Sequence, residues 1–420
     1  MEIQSLLLRL FWSSLFYFFP DLFIPSAIRA AFKKHERKAI RTYWFINLTI
    51  YIIAGTGFLL MKYMAPEAAR FNLFFFGIFI SLLFSKLFVG ILLIVFEDIY
   101  RIPYSLFTRR KRKKKNTDAR VFVGRRRFIA QSILLIGAIP FSGFLFGIFK
   151  GRYNFTVHRQ PIYFDDLPPA FDGVTITQLS DLHIGSWDKF SKEKLEYMVE
   201  LVRSLNSDIL FFTGDIVNSR WDEMDGWYDT FNKFSAPLGI YSILGNHDYG
   251  DYVKWKTDAD KEDNLNKVKN IHPQLGFKLL LNENLVIEKG GEKIHLIGVE
   301  NWGSGHFPKF GDLTKASAGV PDDAFKILLS HDPSHWEAKV LEEKYPPQLT
   351  LSGHTHGFQM GIETPAFKFS PSQFLYPQWA GLYQKEKHFI YVNRGLGTVG
   401  YPGRIGIWPE ITQIILKRKE

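Results

Sequence analysis

The sequence contains no cysteine, and this absence excludes two kinds of stabilising or functional structure. Without thiols the chain can form neither a disulfide scaffold nor a metal site with cysteine ligands. Its 420 residues suggest two or three domain-sized units. Any metal site must therefore be built from nitrogen and oxygen ligands.

Acidic residues are outnumbered by basic ones, with a formal net charge of +10, but the imbalance is local. Residues 26–41 carry a net charge of +5 and residues 97–127 carry +9, whereas residues 128–420 are net acidic at −5. A nucleic-acid-binding domain needs a basic stripe on its folded surface. The charge distribution therefore argues against a nucleic-acid partner.

Long apolar runs occupy the N-terminal third, residues 1–150. A run of about 20 apolar residues is long enough to cross a bilayer as a helix. The first run contains Arg9, Pro20 and Asp21, so it either spans the bilayer or lies in the interface. We therefore predict an anchor of three or four transmembrane helices, at about residues 5–25, 43–63, 71–96 and 128–149.

Basic flanks predict the orientation of this anchor, because lysine and arginine are retained on the cytoplasmic side. Loops 26–41 and 97–127 are then cytoplasmic, and four spans place the chain after about residue 150 outside. The RRRF sequence at 125–128 is either a twin-arginine export signal or an ordinary basic flank, and both give this orientation. Lys86, within the third run, either marks a polar pathway or pairs locally.

Residues 151–420 have the pattern of an α/β domain. Residues 173–180 and 208–215 are predicted strands, and between them residues 191–206 form a predicted helix with four apolar residues on one face, Leu195, Met198, Val199 and Val202. This β-α-β start predicts a layered α/β domain large enough to bury its own core. Further strands are predicted at 239–244, 278–287, 293–299, 325–330, 348–352, 388–393 and 411–417, with helices near 223–235, 253–270 and 334–343.

Polar side chains follow five of these predicted strands, at the edge where α/β sheets bind ligands. Neighbouring glycines allow the backbone to approach a ligand closely. The mixed oxygen and nitrogen set suits Mn, Fe or Zn rather than Ca or Mg. The candidate residues are Asp181, His183, Asp215, Asn246, His247, Asp248, His331, His354 and His356; His272, His295, His306 and His335 lie off these strand ends and are expected to be structural or exposed.

These blocks, in this order over about residues 175–420, resemble the calcineurin-like metallophosphoesterases. The membrane anchor, the RRRF stretch and the ending RGLGTVGYPGRIGIWPEIT are similar to the YkuE/YaeI-type branch of that family. The resemblance implies a four-layer α/β/β/α sandwich. It also implies a bacterial inner membrane protein, whose catalytic domain the basic loops predict on the extracytoplasmic side.

The same resemblance implies a site with two divalent or trivalent ions, Mn, Fe or Zn. One metal would be held by Asp181, His183, Asp215 and His356, and the other by Asp215, Asn246, His331 and His354. Such a pair lowers the pKa of a bridging water and holds the phosphate oxygens. His247 would stabilise or protonate the leaving oxygen and Asp248 would orient it. Asn218 departs from the Asp or Tyr of many members, and Asp332 is either a turn residue or a functional one.

Three features near the site allow more than one interpretation. Gly395–Gly400 fits a dinucleotide-binding pattern, but no helix is predicted after it, so we expect a loop near the metals. Arg394 and Arg404 either contact a substrate phosphate or are simply exposed. The aromatic segment 358–384 is either a lid with substrate contacts from Tyr376 and Trp379, suited to an acyl chain or bilayer face, or plain packing over the core.

The expected function is metal-dependent hydrolysis of a phosphoester, phosphodiester or pyrophosphate bond. The implied substrate is a lipid such as UDP-2,3-diacylglucosamine, and the bilayer is the second expected partner. One alternative is a membrane receptor whose phosphoesterase-like domain only binds. Another is a phosphodiesterase that acts on soluble nucleotides.

Overall fold

The structure, a computed structural model, describes the backbone of residues 14–60, 66–99, 118–305, 307 and 309–419. Side chains are described for 14–57, 73–96, 127–305, 307 and 309–419. The chain divides into two compact units, an N-terminal helical unit that ends at Phe146 and a C-terminal unit that begins at Gly147.

The N-terminal unit is mostly helical in its described part, with a turn at residues 32–35. Within the side chains described, two segments are long and apolar enough to cross a membrane, Leu73–Phe96 and Arg127–Tyr153. The predicted span 43–63 is helical up to Leu60 without meeting that criterion. Positions 1–13, 61–65 and 100–117, which include parts of the predicted first span and of the second basic loop, lie outside the described residues. The helices are α1 (Ile24–Ala31), α2 (Glu36–Leu60), α3 (Pro66–Leu93), continued by a π-helix at Ile94–Ile99, and α4 (Asp118–Phe149).

Lys86, on α3, pairs with Asp21 inside this unit. Its Nζ lies 2.7 Å from Asp21 Oδ2 and 3.8 Å from the centre of the Tyr17 ring. The hydroxyl of Tyr43, on α2, donates to the other carboxylate oxygen of Asp21. Both charges are almost completely buried. Local pairing is thus the observed arrangement of Lys86, and it provides a partner for the acidic residue that interrupts the first apolar run.

The C-terminal unit contains two mixed six-stranded sheets and a short hairpin. The strands are β1 (Thr156–Phe164), β2 (Thr175–Leu179), β3 (Ile209–Phe212), β4 (Ile240–Ser242), β5 (Lys278–Leu279), β6 (Glu283–Lys289), β7 (Glu292–Gly298), β8 (Lys326–Leu329), β9 (Leu349–Ser352), β10 (Ile362–Glu363), β11 (Lys368–Phe369), β12 (Gly381–Lys385), β13 (His388–Val392) and β14 (Glu410–Arg418). The first sheet has the order β1-β14-β2-β3-β4-β5 and the second has the order β12-β13-β9-β8-β7-β6. Strands β2, β3 and β4 are parallel neighbours, as are β8 and β9.

Apolar side chains form three large cores in this unit and a smaller cluster around Trp379. Between the sheets, residues such as Phe211 of β3 pack in one cluster with Leu296 of β7 and Ile327 of β8. The outer face of the first sheet is covered by α5 (Lys192–Ser204) and α7 (Asp258–Gln274), and the outer face of the second by α8 (Leu313–Ala316) and α9 (Ser334–Ala338). The predicted four-layer α/β/β/α sandwich is therefore confirmed, as is the buried face of α5.

Some boundaries differ from the predictions. The single strand predicted at 278–287 is two strands, β5 and β6, which belong to different sheets. The turn at Asn282, which has a positive φ of 56°, separates them. The helix predicted at 223–235 is reduced to a 3-10 turn and the short α6 (Tyr228–Phe231). Strands β1, β10, β11 and β12 were not predicted, because their short or partly exposed sequences lack a clear apolar alternation.

Candidate metal centre

The candidate residues lie where the carboxyl ends of the parallel strands of both sheets meet. Asp181 and His183 follow β2, Asp215 follows β3, and Asn246 follows β4. From the second sheet, His331 follows β8, and His354 and His356 follow β9. Because the inner faces of the sheets pack on each other, these five strand ends deliver their side chains to one buried place.

Asp181, His183, His356 and Asp215 form the first half of this cluster. The Nε2 atoms of His183 and His356 are 3.1 Å apart, and His356 Nε2 lies 3.2 Å from Asp181 Oδ1. Asp215 Oδ2 lies 3.5 Å from His183 Nε2. These side chains are buried, so their polar atoms are turned towards each other rather than towards water.

Asp215, His331, His354 and Asn246 form the second half. Asp215 Oδ2 lies 3.1 Å from His331 Nε2, and Asn246 Oδ1 lies 2.7 Å from His354 Nδ1. The structure thus places all seven predicted ligands together, with Asp215 common to both halves. Asp332, left open by the sequence, accepts a hydrogen bond from the Ser334 amide and places Oδ2 3.4 Å from His354 Nε2.

The backbone at this edge is strained in a way that brings the ligands together. Asp181, His183, Asp215, His354 and His356 all have positive φ, between 45° and 71°. Such conformations cost free energy in residues other than glycine and concentrate at functional sites. Gly214 has a φ of 96°, and a methyl group there would lie 2.8 Å from His331 Nδ1. A larger residue at 214 would therefore displace the histidine.

The electrostatics of the cluster are dominated by its two carboxylates. Burial alone would raise the pKa of Asp181 and Asp215, but the neighbouring histidines outweigh it and hold both values below the ordinary range. Burial would lower the pKa of His331, but Asp215 and Asp181 raise it to about 10. Without a metal, a proton on His331 thus compensates the two buried negative charges.

The donor atoms fit bound cations. Two ligands about 2.1 Å from one ion and at right angles to each other are about 3 Å apart, and the separations within each half have this size. The hydrogen-bond partners of His183 and His331 also fit metal binding. His183 Nδ1 lies 3.0 Å from Asn218 Oδ1, and His331 Nδ1 lies 2.6 Å from the Thr213 carbonyl oxygen. Each Nδ1 therefore donates, so each ring would present the lone pair of Nε2 to a bound cation, which on His331 would replace the proton. The Nδ1 of His356 accepts a hydrogen bond instead, because it lies 3.2 Å from the Arg404 guanidinium, a group that can only donate.

Sequence similarity relates the chain to known proteins. Residues 174–358 match the calcineurin-like phosphoesterase family, and residues 7–152 match a second family, described as probable calcineurin-like phosphoesterase, transmembrane domain. The uncharacterized metallophosphoesterase YkuE of Bacillus subtilis is 32% identical over 257 residues, which are 60% of this chain and 82% of YkuE. The chain belongs to the calcineurin-like metallophosphoesterase family.

Two further relatives extend the comparison. A zebrafish (Danio rerio) transmembrane protein with metallophosphoesterase domain is 30% identical over 262 residues, and the match covers 60% of this chain but only 55% of that protein. UDP-2,3-diacylglucosamine pyrophosphatase LpxG of Chlamydia muridarum is 27% identical over 280 residues, which cover 55% of this chain and 81% of LpxG. The metallophosphoesterase described here is thus an enzyme of the phosphoester hydrolase class with an N-terminal transmembrane domain.

His247 of this metallophosphoesterase is oriented differently from the prediction. Its Nδ1 lies 2.7 Å from the Asn218 carbonyl oxygen, its amide donates to Asp215, and its ring stacks on Tyr252. Asp248 does not orient the ring. Its carboxylate accepts hydrogen bonds from four backbone amides, those of Asp215, Ile216, Val217 and Gly245. Asp248 instead holds the loop that carries Asp215.

Asn218 and Glu223 support the metallophosphoesterase site from outside. Asn218 contacts both His183 and His247, through its side chain and its carbonyl oxygen respectively. The Glu223 carboxylate accepts hydrogen bonds from the amides of Asn218, Ser219 and Arg220. Burial raises the pKa of Glu223 to about 7 despite these bonds. No sequence pattern indicated the role of Glu223. Tyr252, whose ring stacks on His247, could have been noticed because it lies only five residues after that histidine.

Both arginines proposed as substrate contacts are in the interior. The Arg394 guanidinium lies between Glu410 and Glu363, with 2.5 Å to each carboxylate. Arg404 is fully buried and donates to the carbonyl oxygens of Gly397 and Arg394. Neither arginine is exposed, and Arg404 Nη1 has no hydrogen-bond partner among the described residues, so a phosphate contact by these arginines stays a prediction. Burial lowers the pKa of Arg404 to about 9.

Of the two aromatic loop residues predicted to contact substrate, one lies at the metal cluster and the other is buried in the core. Tyr376 places its hydroxyl 2.8 Å from His354 Nε2, at the edge of the cluster. Trp379 is buried and packs with Ala380 and Ile407, so it is a core residue rather than a substrate contact. The glycine-rich segment 395–400 is a loop, as expected, and the Gly397 amide donates to the Asp181 carbonyl oxygen at 2.7 Å.

Proposed function

We propose that this enzyme hydrolyses a phosphoester or pyrophosphate bond of a membrane lipid at a dinuclear metal site. The observation that carries the proposal is Asp215, whose Oδ2 lies within 3.5 Å of histidines from both halves of the cluster. Asp181, His183, Asp215 and His356 would hold one ion, and Asp215, Asn246, His331 and His354 the other. Bound cations of this kind supply Lewis acidity to phosphate oxygens and lower the pKa of an attacking water.

The protein's own contribution to the chemistry is proton transfer by His247. Burial lowers the pKa of His247, so the ring is neutral near pH 7. Its Nδ1 is held by the Asn218 carbonyl oxygen, which leaves the lone pair on Nε2. A proton taken up from solvent at Nε2 is delivered to the leaving oxygen, and the ring returns to its neutral form. Asn218 keeps the ring in the required tautomer.

Three observations favour a lipid substrate. The enzyme has a transmembrane domain, and one relative, LpxG, is named as a UDP-2,3-diacylglucosamine pyrophosphatase. The hydroxyl of Tyr376, which contacts the cluster, belongs to a loop rich in aromatic residues. A lipid whose phosphate enters the site beside Tyr376 would place its acyl chains against this loop.

The test is Mn-dependent hydrolysis by the purified full-length protein. UDP-2,3-diacylglucosamine in mixed micelles is compared with a soluble nitrophenyl phosphodiester and with soluble nucleotides. We expect hydrolysis of the lipid in preference to the soluble esters. Preference for soluble nucleotides would contradict the lipid proposal, and metal binding without hydrolysis of any ester would favour the receptor alternative.

A further inference from the structure

A segment beside the site exposes large apolar side chains to solvent. It comprises the hairpin of β10 and β11 and the 3-10 turn Pro371–Phe374, which leads directly to Tyr376. The exposed fractions are 57% for Ile362, 57% for Phe367, 76% for Phe374 and 68% for Leu375. We call these four residues together with Phe369 the apolar loop surface.

The apolar loop surface is continuous. Ile362 stands opposite Phe369 in the register of the hairpin. The Phe369 ring centre lies 6.4 Å from that of Phe367 and 6.3 Å from that of Phe374. Scattered exposed apolar residues are ordinary, but a contiguous apolar patch indicates a binding partner.

The charged residues of the hairpin strands point inward. Glu363 pairs with the buried Arg394 guanidinium. The Lys368 ammonium donates to the Ala380 carbonyl oxygen and lies 4.5 Å from the centre of the Trp379 ring. Apolar residues therefore face outward and charged residues face inward, the reverse of the usual arrangement at a water-exposed surface. This inversion suits a hydrocarbon partner.

The apolar loop surface is also connected to the end of the last apolar helix. The Gly361 amide donates to the Ile405 carbonyl oxygen at 2.9 Å, and the neighbouring Arg404 amide donates to the Gly147 carbonyl oxygen at 3.1 Å. Gly147 lies in Arg127–Tyr153, one of the two segments long and apolar enough to span a membrane. Two backbone hydrogen bonds thus connect the hairpin to the point where the chain leaves this helix.

We infer that the apolar loop surface docks on the bilayer that anchors the chain, with its side chains among the lipid acyl chains at the interface. Aromatic residues favour this depth because their rings combine apolar and polar character. Docking would bring Tyr376 and the metal site to a phosphoester in the same membrane. This consequence rests on the proposed function.

The absence of cysteine provides a direct test. A single nitroxide label is attached to Phe374→Cys, and in a second variant to Phe367→Cys, of the full-length protein in phosphatidylcholine–phosphatidylglycerol vesicles. The matched control is Tyr345→Cys, at a residue that is 43% exposed and precedes β9, at the end of that strand opposite the site.

We expect labels at 374 and 367 to be accessible to oxygen and shielded from a water-soluble nickel complex, with the reverse at 345. Water-like accessibility at both loop positions would overturn the inference. Strong spin–spin coupling between loop labels would also overturn it, because the surface would then be covered by a second copy. The experiment does not measure turnover. If the labels are buried in lipid but the protein hydrolyses no ester, the proposed function is rejected and the docking is not.

Discussion

His247 is the residue whose contribution can be separated from metal binding by the choice of substrate. We predict that His247→Gln lowers hydrolysis of an alkyl phosphodiester by roughly 10²–10⁴-fold, because the leaving alkoxide must be protonated. A nitrophenyl ester should lose much less, since nitrophenolate leaves without a proton. Rates for both esters, measured at equal metal content, check this. Equal losses for the two esters would contradict the proton-transfer role.

At the scale of residues, the sequence was most informative where chemistry and position coincide. Asp181, Asp215 and His331 each follow an apolar run closely, so their convergence could be predicted from strand ends alone. Arg394 gave no such signal, because its partners Glu363 and Glu410 lie 31 and 16 residues away in the chain. The role of Asp248 was missed because hydrogen bonds to backbone amides depend on loop conformation.

At the scale of elements, helix α7 carries a buried histidine that makes stability depend on pH. His272 is fully buried, and neither ring nitrogen has a hydrogen-bond partner among the described residues. Burial lowers its pKa to about 3. Below pH 6.5 the unfolded chain binds a proton that the folded chain refuses, so stability is lost as the pH falls from about 6.5 towards 3.

This single group can contribute up to about 1.4 kcal/mol of lost stability per pH unit within that window. We predict that His272→Leu reduces the fall in melting temperature between pH 6.5 and pH 4.5. Thermal unfolding of the full-length protein in detergent measures it, with the exposed His35→Leu as the control. Identical pH profiles for wild type and His272→Leu would show that the histidine does not resist protonation.

The Asp21–Lys86 pair joins the segment before α1 to α3. Removal of one partner leaves the other charge buried and alone, which typically costs about 3–5 kcal/mol. We therefore predict that Asp21→Asn and Lys86→Met each lower the melting temperature of the full-length protein. The exchanged pair Asp21→Lys with Lys86→Asp should recover part of the loss. Single variants as stable as wild type would mean that the pair does not hold the helices together.

Elements were predicted well where an apolar pattern was uninterrupted and poorly where a turn was hidden in it. Helix α5 was predicted with its buried face, because four apolar residues recur at helical spacing. The apolar run 278–287 concealed a turn, and only the pairing of β5 with β4 and of β6 with β7 shows that it enters two sheets. Such long-range pairing is not encoded in local periodicity.

At the scale of the whole molecule, charge predicts the side of the membrane on which catalysis takes place. The basic loops 26–41 and 97–127 should stay in the cytoplasm, so the C-terminal unit is expected outside. Alkaline phosphatase fused after Glu420 should therefore be active, whereas a fluorescent protein that folds only in the cytoplasm should remain dark. A bright cytoplasmic reporter with an inactive phosphatase fusion would reverse the orientation.

We propose that one carboxylate, Asp215, joins two metal positions into a single hydrolytic site. The most direct measurement is metal content and phosphodiester turnover of the purified full-length protein beside Asp215→Asn, with the exposed Asp323→Asn as control. We predict two ions per chain in wild type and control. Asp215→Asn should lose metal, and turnover should fall at least roughly 100-fold, since even residues that only support a ligand contribute 10–100-fold. Full metal loading and unchanged turnover in Asp215→Asn would contradict this role of Asp215.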